Sequence, residues 1–167
     1  RTHGTYDFPF ALYHVTQNHP RYIMQYHWHP EAELIRVITG RVRITEGGQE
    51  YLLIPGDCLY IPGGSLHGCV PEDCIYECLV FNMNMLVSSL PFGKSSLAAF
   101  SDSRMVIQNY FPASCRDMIP VTDCMFEQML AHQPGYQLSV IGAFYRFLGT
   151  VLEHSYCKSQ NTADDLL

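Results

Sequence analysis

Apolar and polar residues alternate along Leu34-Ile-Arg36-Val-Ile and again along Arg41-Val-Arg43-Ile, the period of half-buried strands. From Tyr22 to about Asn84 the pattern is β throughout. Gly47-Gly48, Pro55-Gly56-Asp57 and Pro62-Gly63-Gly64 mark three turns within it. Short strands at this spacing predict a sandwich or barrel. Residues 1–20, with Phe8, Phe10, Tyr13 and two prolines, read as an N-terminal arm that holds one strand. Residues 94–118 are mixed, with a short helix and one more strand near Val106–Phe111. From Pro120 the period becomes helical. Met125, Met129 and Leu130 share a face, and Gln133-Pro-Gly135 closes that helix. Leu138, Ile141, Tyr145, Leu148 and Leu152 then recur at three- and four-residue steps. The predicted layout is an arm (1–20), a β-barrel (21–112), and a helical hairpin running toward a linker (113–167).

Composition narrows the function classes. The chain of 167 residues is 47% hydrophobic with a net charge of -6, which suits one domain with a real core and disfavours direct contact with nucleic acid. No apolar run reaches the length of a membrane span. Seven cysteines without paired spacing predict reduced thiols in a cytoplasmic protein. A zinc site among Cys69, Cys74 and Cys78 is the alternative to their packing as core residues. Arg1 stands where an initiating Met would, and Thr162-Ala-Asp-Asp165 before Leu166-Leu167 has the form of a helix start. Both ends therefore read as cut from a longer protein, with a frayed polar tail as the bland alternative for the last residues.

The chemistry concentrates in two stretches. His27-Trp-His29 places two imidazoles on one strand face, and Glu33 re-enters on the next strand. His67 follows the Pro62-Gly63-Gly64 turn. Three imidazoles and a carboxylate form a donor set for a divalent transition metal, zinc, nickel, iron or manganese. The alternative is a solvated polar pocket in which the imidazoles hydrogen-bond an organic ligand. Gln25 and Cys69 share faces with His27 and His67, and Phe8 could close the mouth if the arm folds over it. These three are the expected ligand contacts. No residue near the set has a distinctive catalytic spacing.

The order His27-x-His29-x3-Glu33-x6-Gly40, then Gly56-x5-Pro62-x-Gly64-x2-His67, resembles the two signature motifs of the cupin superfamily. That resemblance implies a double-stranded β-helix, or jelly roll, which with the helical period after Pro120 gives a mainly β fold with a C-terminal antiparallel helical hairpin. Two outer positions depart, since Arg21 stands for the leading glycine and Pro71 for the trailing asparagine. Those departures weigh against a metalloenzyme active site. With its aromatic arm and two following helices, the chain resembles the N-terminal sensor half of AraC-type transcription regulators. This implies an effector-sensing domain that binds a small polar metabolite, sugar-like for instance, and forms a homodimer through its long helix. DNA would be read only by a helix-turn-helix half beyond this chain. The expectation is thus binding rather than catalysis. The alternative is a stand-alone metal-dependent cupin enzyme of isomerase or dioxygenase type, and a weaker third is a storage or structural cupin.

Overall fold

Two antiparallel strands of fifteen residues each, β3 (Ala32–Glu46) and β6 (His67–Phe81), form the spine of the molecule, paired from Ala32↔Phe81 to Glu46↔His67. The computed structural model describes residues 4–5, 7–91, 94–102 and 104–159. On the free edge of β6 lie β1 (Phe10–Val15) and β2 (Met24–His27). Along β3 lie β4 (Gln49–Leu53) and β5 (Cys58–Ile61), each covering one half of it. The ribbon bends midway, where the β3–β6 register shifts between Val37 and Arg41. Gly40 makes that bend: its φ is 73°, and a Cβ there would stand 2.1 Å from the Asp73 carbonyl oxygen. Only glycine fits. The result is the expected mainly antiparallel jelly roll with helices at its C-terminal end.

Each half of β3 sorts its side chains by parity. Glu33, Ile35 and Val37 face a barrel interior shared with Leu59, Ile61 and Tyr76, whereas Ala32 and Leu34 face the helices. Helix α3 (Ile119–Ala131) and helix α4 (Tyr136–Glu153) fold back on one another through His132–Gly135, as the Pro-Gly break predicts. Phe126, Phe144 and Phe147 pack there with Phe10 and Phe81. The stripe expected on α4 is turned. Val140, Phe144, Phe147, Leu148 and Val151 are buried, whereas Leu138 and Leu152 are 77% and 44% exposed. The phenylalanines carry the larger apolar area, so they take the contact face.

Three local expectations differ. The β pattern does not continue to Asn84, because the Asn82 side chain accepts the Met85 amide at 3.0 Å and starts α1 (Met83–Ser88). Helix α2 (Lys94–Ser101) follows. The strand expected near 106–111 is split into β7 (Met105–Ile107) and β8 (Tyr110–Phe111). β8 extends the main sheet beside β5, while β7 pairs with β9 (Cys157–Ser159), which has no sequence signal because its partner is fifty residues away. The helix start expected at Thr162 lies outside the described residues. No described helix is long and apolar enough to cross a membrane.

Candidate metal centre

The site is assembled by two strand ends and a turn. β2 ends at His27, which lies directly across from His67, the first residue of β6. His29 sits in the short connection to β3, and Glu33 is the second residue of that strand. The turn at Pro62–Gly64 holds this connection against the barrel. Gly63 packs so closely that a Cβ would stand 2.2 Å from the Pro30 carbonyl oxygen. The Gly64 amide donates to the His29 carbonyl at 2.8 Å. The Gly-Pro turn therefore aims two imidazoles, His67 by sequence and His29 by contact.

The three rings converge, with centroids 4.4 Å apart for His27–His67, 5.1 Å for His29–His67 and 5.6 Å for His27–His29. One donor atom from each lies within 4.8 Å of the others. Their tautomers are set by the backbone. His27 Nδ1 reaches the Gln25 carbonyl at 2.9 Å, His29 Nδ1 that of Glu31 at 3.0 Å, and His67 Nδ1 that of Ser65 at 2.8 Å. A carbonyl oxygen only accepts, so each Nδ1 carries a proton, and each Nε2 offers a lone pair when its ring is neutral. Such backbone bonds orient metal-binding histidines.

Glu33 lies beside two of the three rings. Its Oε2 lies 3.3 Å from His29 Nε2 and 3.2 Å from His67 Nε2, and both Glu33 and His67 are buried. His67 Nε2 has no hydrogen-bond partner among the described residues, since the Glu33 contact is out of line. A buried ring nitrogen without a partner is costly, and a cation among the rings would satisfy its lone pair once the proton has left. Burial works to raise the Glu33 carboxyl, but the imidazoles of His29 and His67 outweigh it and hold the group well below the usual carboxylate range. Burial likewise works to lower His67, and Glu33 reverses this, so that imidazole is raised. His27 is lowered, chiefly by burial. An ionised carboxylate and three Nε2 donors suit a divalent transition metal such as zinc, nickel, iron or manganese. Among the described residues the histidine trio is the group spaced to hold one. All seven cysteines are free, and Cys69, Cys74 and Cys78 form no such group.

Of the remaining expected contacts, Gln25 lines the cleft outside the cage, and Phe8 and Cys69 lie elsewhere. Phe8 is buried on the helix side, 5.1 Å from Phe10 and edge-on to Tyr136 at 5.7 Å, so it closes the helix-side core rather than the mouth. Gln25 is exposed. The irregularity between Met24 and His27 turns Met24 toward the cage, and Gln25 lines the outer cleft. Cys69 packs in the interior with Sγ 3.4 Å from Tyr76 Oη. The thiol beside Glu33 is Cys78, which lines the same pocket. Tyr13, His19 and Arg21 line the approach. Parity counted from His67 misses Cys78, because the bend at Asp73, with φ of 42°, shifts the inward set from odd to even positions.

Fold and site together define a small jelly-roll barrel with a histidine–carboxylate cage at one end. The sequence pattern of the cupin domain family matches residues 15–73, a span that holds His27, His29, Glu33 and His67. Comparison with curated proteins finds no match. Among solved structures the chain is similar to oxalate decarboxylase of Bacillus subtilis, described for its Mn(II) centres, at 24% identity and a TM-score of 0.37 over 45% of this chain and 22% of that one. It is similar to an RmlC-like cupin from Shewanella frigidimarina at 17% identity and a TM-score of 0.39, covering 45% and 68% of the two chains. A conserved protein of unknown function from Streptococcus pyogenes is similar at 14% identity and a TM-score of 0.35, covering 43% and 73%. The chain thus spans about a fifth of the length of the decarboxylase it resembles.

Proposed function

We propose that this chain is the cytoplasmic effector-sensing and dimerisation domain of an AraC-like transcription regulator, with a divalent metal held by His27, His29, Glu33 and His67. A small metabolite would bind at the barrel mouth, where a bound ion supplies Lewis-acid contact to ligand oxygens. The observation that carries this reading is the ionic link from the site's own strand to the helices. Arg36, three residues beyond Glu33, places Nε and Nη2 2.9 Å from Glu77 Oε1 and Nη1 3.2 Å from Asp123 of α3. Its guanidinium also lies 4.6 Å from the Phe126 ring centre. His14 of β1 contacts the other Glu77 oxygen at 2.9 Å. One cluster thus ties N-terminal strand, ligand strand and helical hairpin together. A ligand that favours one arrangement of these parts would bias the whole.

Dimerisation is supported by the outer face of α4, where Leu138, Gly142, Gly149 and Leu152 are exposed at near-heptad spacing. The seven free cysteines support the reducing compartment. A second reading, a stand-alone metalloenzyme, is favoured by the open cleft beside His27 and His29, which would admit a substrate to the cage. Reading the gene past Leu167 separates the two. The regulator reading expects two basic helix-turn-helix units there. A stop codon with metal-dependent turnover of the bound metabolite would overturn it.

A further inference from the structure

The approach to the cage has a chemical character of its own. Arg36, Arg41, Arg43 and Arg104 are each paired with a carboxylate. Arg21, like Arg116 and Arg146, is not: its guanidinium lies 5.5 Å from the Tyr13 ring centre, and no described carboxylate pairs with it. It lines both the funnel that reaches His27, His29 and Glu33 and the open cleft outside. The loop that carries it is built rather than loose. The fully buried Tyr76 hydroxyl reaches the Arg21 and Tyr22 carbonyls, each at 2.9 Å, and the Arg21 amide donates to His19 Nδ1 at 3.0 Å. The Tyr22 hydroxyl in turn accepts the Cys74 amide at 3.1 Å. The backbone of Arg21 is thus fixed at the mouth, and its guanidinium has no carboxylate partner among the described residues.

The wall beside it is apolar. Ile23 and Trp28, 62% and 66% exposed, line the same cleft. Large side chains at such exposure next to a polar cage mark a surface meant to be covered.

We propose that the ligand of this cleft is a small organic carboxylate with an apolar body, its carboxylate taken by Arg21 and its body seated on Ile23 and Trp28. The inference rests on reading the histidine cluster as a metal cage and names the ligand class of that same site. The charges agree. Glu33 alone would repel an anion, whereas a divalent ion held by neutral imidazoles leaves the cage positive, and Arg21 adds to that field. The guanidinium fork matches carboxylate geometry, which a neutral sugar does not offer.

The test is calorimetric titration of the metal-loaded protein with benzoate, benzamide and gluconate, with metal content measured in the same samples. Benzoate is expected to bind at least about tenfold more tightly than benzamide, because a charge-assisted pair contributes roughly that much. Arg21→Gln should lose about tenfold in benzoate affinity, Arg21→Lys less, and both should keep the metal and the thermal midpoint of the parent. Equal affinity for benzamide, or an Arg21→Gln variant that binds benzoate unchanged, overturns the carboxylate assignment. Gluconate binding as tightly as benzoate overturns the apolar seat. Absence of metal in the parent protein is a failure of the cage reading and is scored separately, because Arg21-dependent benzoate binding is read from the same titration.

Discussion

His27 and His67, forty residues apart in sequence, are direct partners across the β2–β6 ladder, with ring centroids 4.4 Å apart. Strand register therefore sets the most intimate contact of the cage. Because β2 is only four residues long, its position depends on the neighbouring turn as much as on its own ladder.

That dependence makes Gly63 a lever on the site. A Gly63→Ala methyl must displace the Pro30 backbone and carry His29 with it. Metal affinity should fall by about 10- to 100-fold, the range seen when supports of metal ligands are lost. The stability cost should be about 1–3 kcal/mol. Metal titration and thermal melting of the same variant separate the two, and unchanged affinity would show that the turn does not position His29.

Glu77 should behave as the centre of a buried ionic cluster. Its side chain is 2% exposed and faces both Arg36 and His14. Glu77→Ala leaves the Arg36 charge only the partly exposed Asp123 and should destabilise the fold by about 3 kcal/mol in chemical denaturation. The double replacement Arg36→Met with Glu77→Leu should recover most of that loss. If the double variant is as unstable as the single one, shape rather than stranded charge explains the cost.

The pH response follows from the two shifted groups of the cage. In the metal-free protein the raised His67 stabilises the fold below its unfolded value of 6.5 and loses that contribution as pH rises through its folded value. The depressed Glu33 contributes above its unfolded value of 4.5 and loses it as pH falls. Their joint contribution is therefore greatest between 4.5 and 6.5. Metal must displace the His67 proton, so metal-induced stabilisation should grow as pH rises above that window. Melting curves with and without metal from acid to mildly alkaline pH check this. A metal increment that shrinks with rising pH would contradict the assignment of His67 Nε2 as a donor.

Much of this site was legible in the chain. Residue type, spacing and the Gly-Pro turns located His27, His29, Glu33 and His67, and strand parity placed Glu33 inward with Ile35 and Val37. Side-chain direction was harder to read where parity is interrupted. The irregularity after Met24 turns Gln25 from the cage to the outer cleft, and the bend at Asp73 brings Cys78 rather than Cys69 beside Glu33. An aromatic arm has no period, so its sequence does not show which core Phe8 joins. Its place depends on Tyr136, reached only through the fold. Arg21 departs from the motif in sequence, and its position at the mouth depends on the Tyr76 hydroxyl, fifty-five residues on.

The central claim, that the three imidazoles and Glu33 hold a metal, is tested most directly by metal content and titration of the purified protein alongside His67→Ala. The account predicts equimolar metal in the parent, its loss in His67→Ala, and weakened binding in Glu33→Gln. A parent that takes up no zinc, nickel, iron or manganese after chelation and reloading, or a His67→Ala variant with undiminished metal, would contradict it.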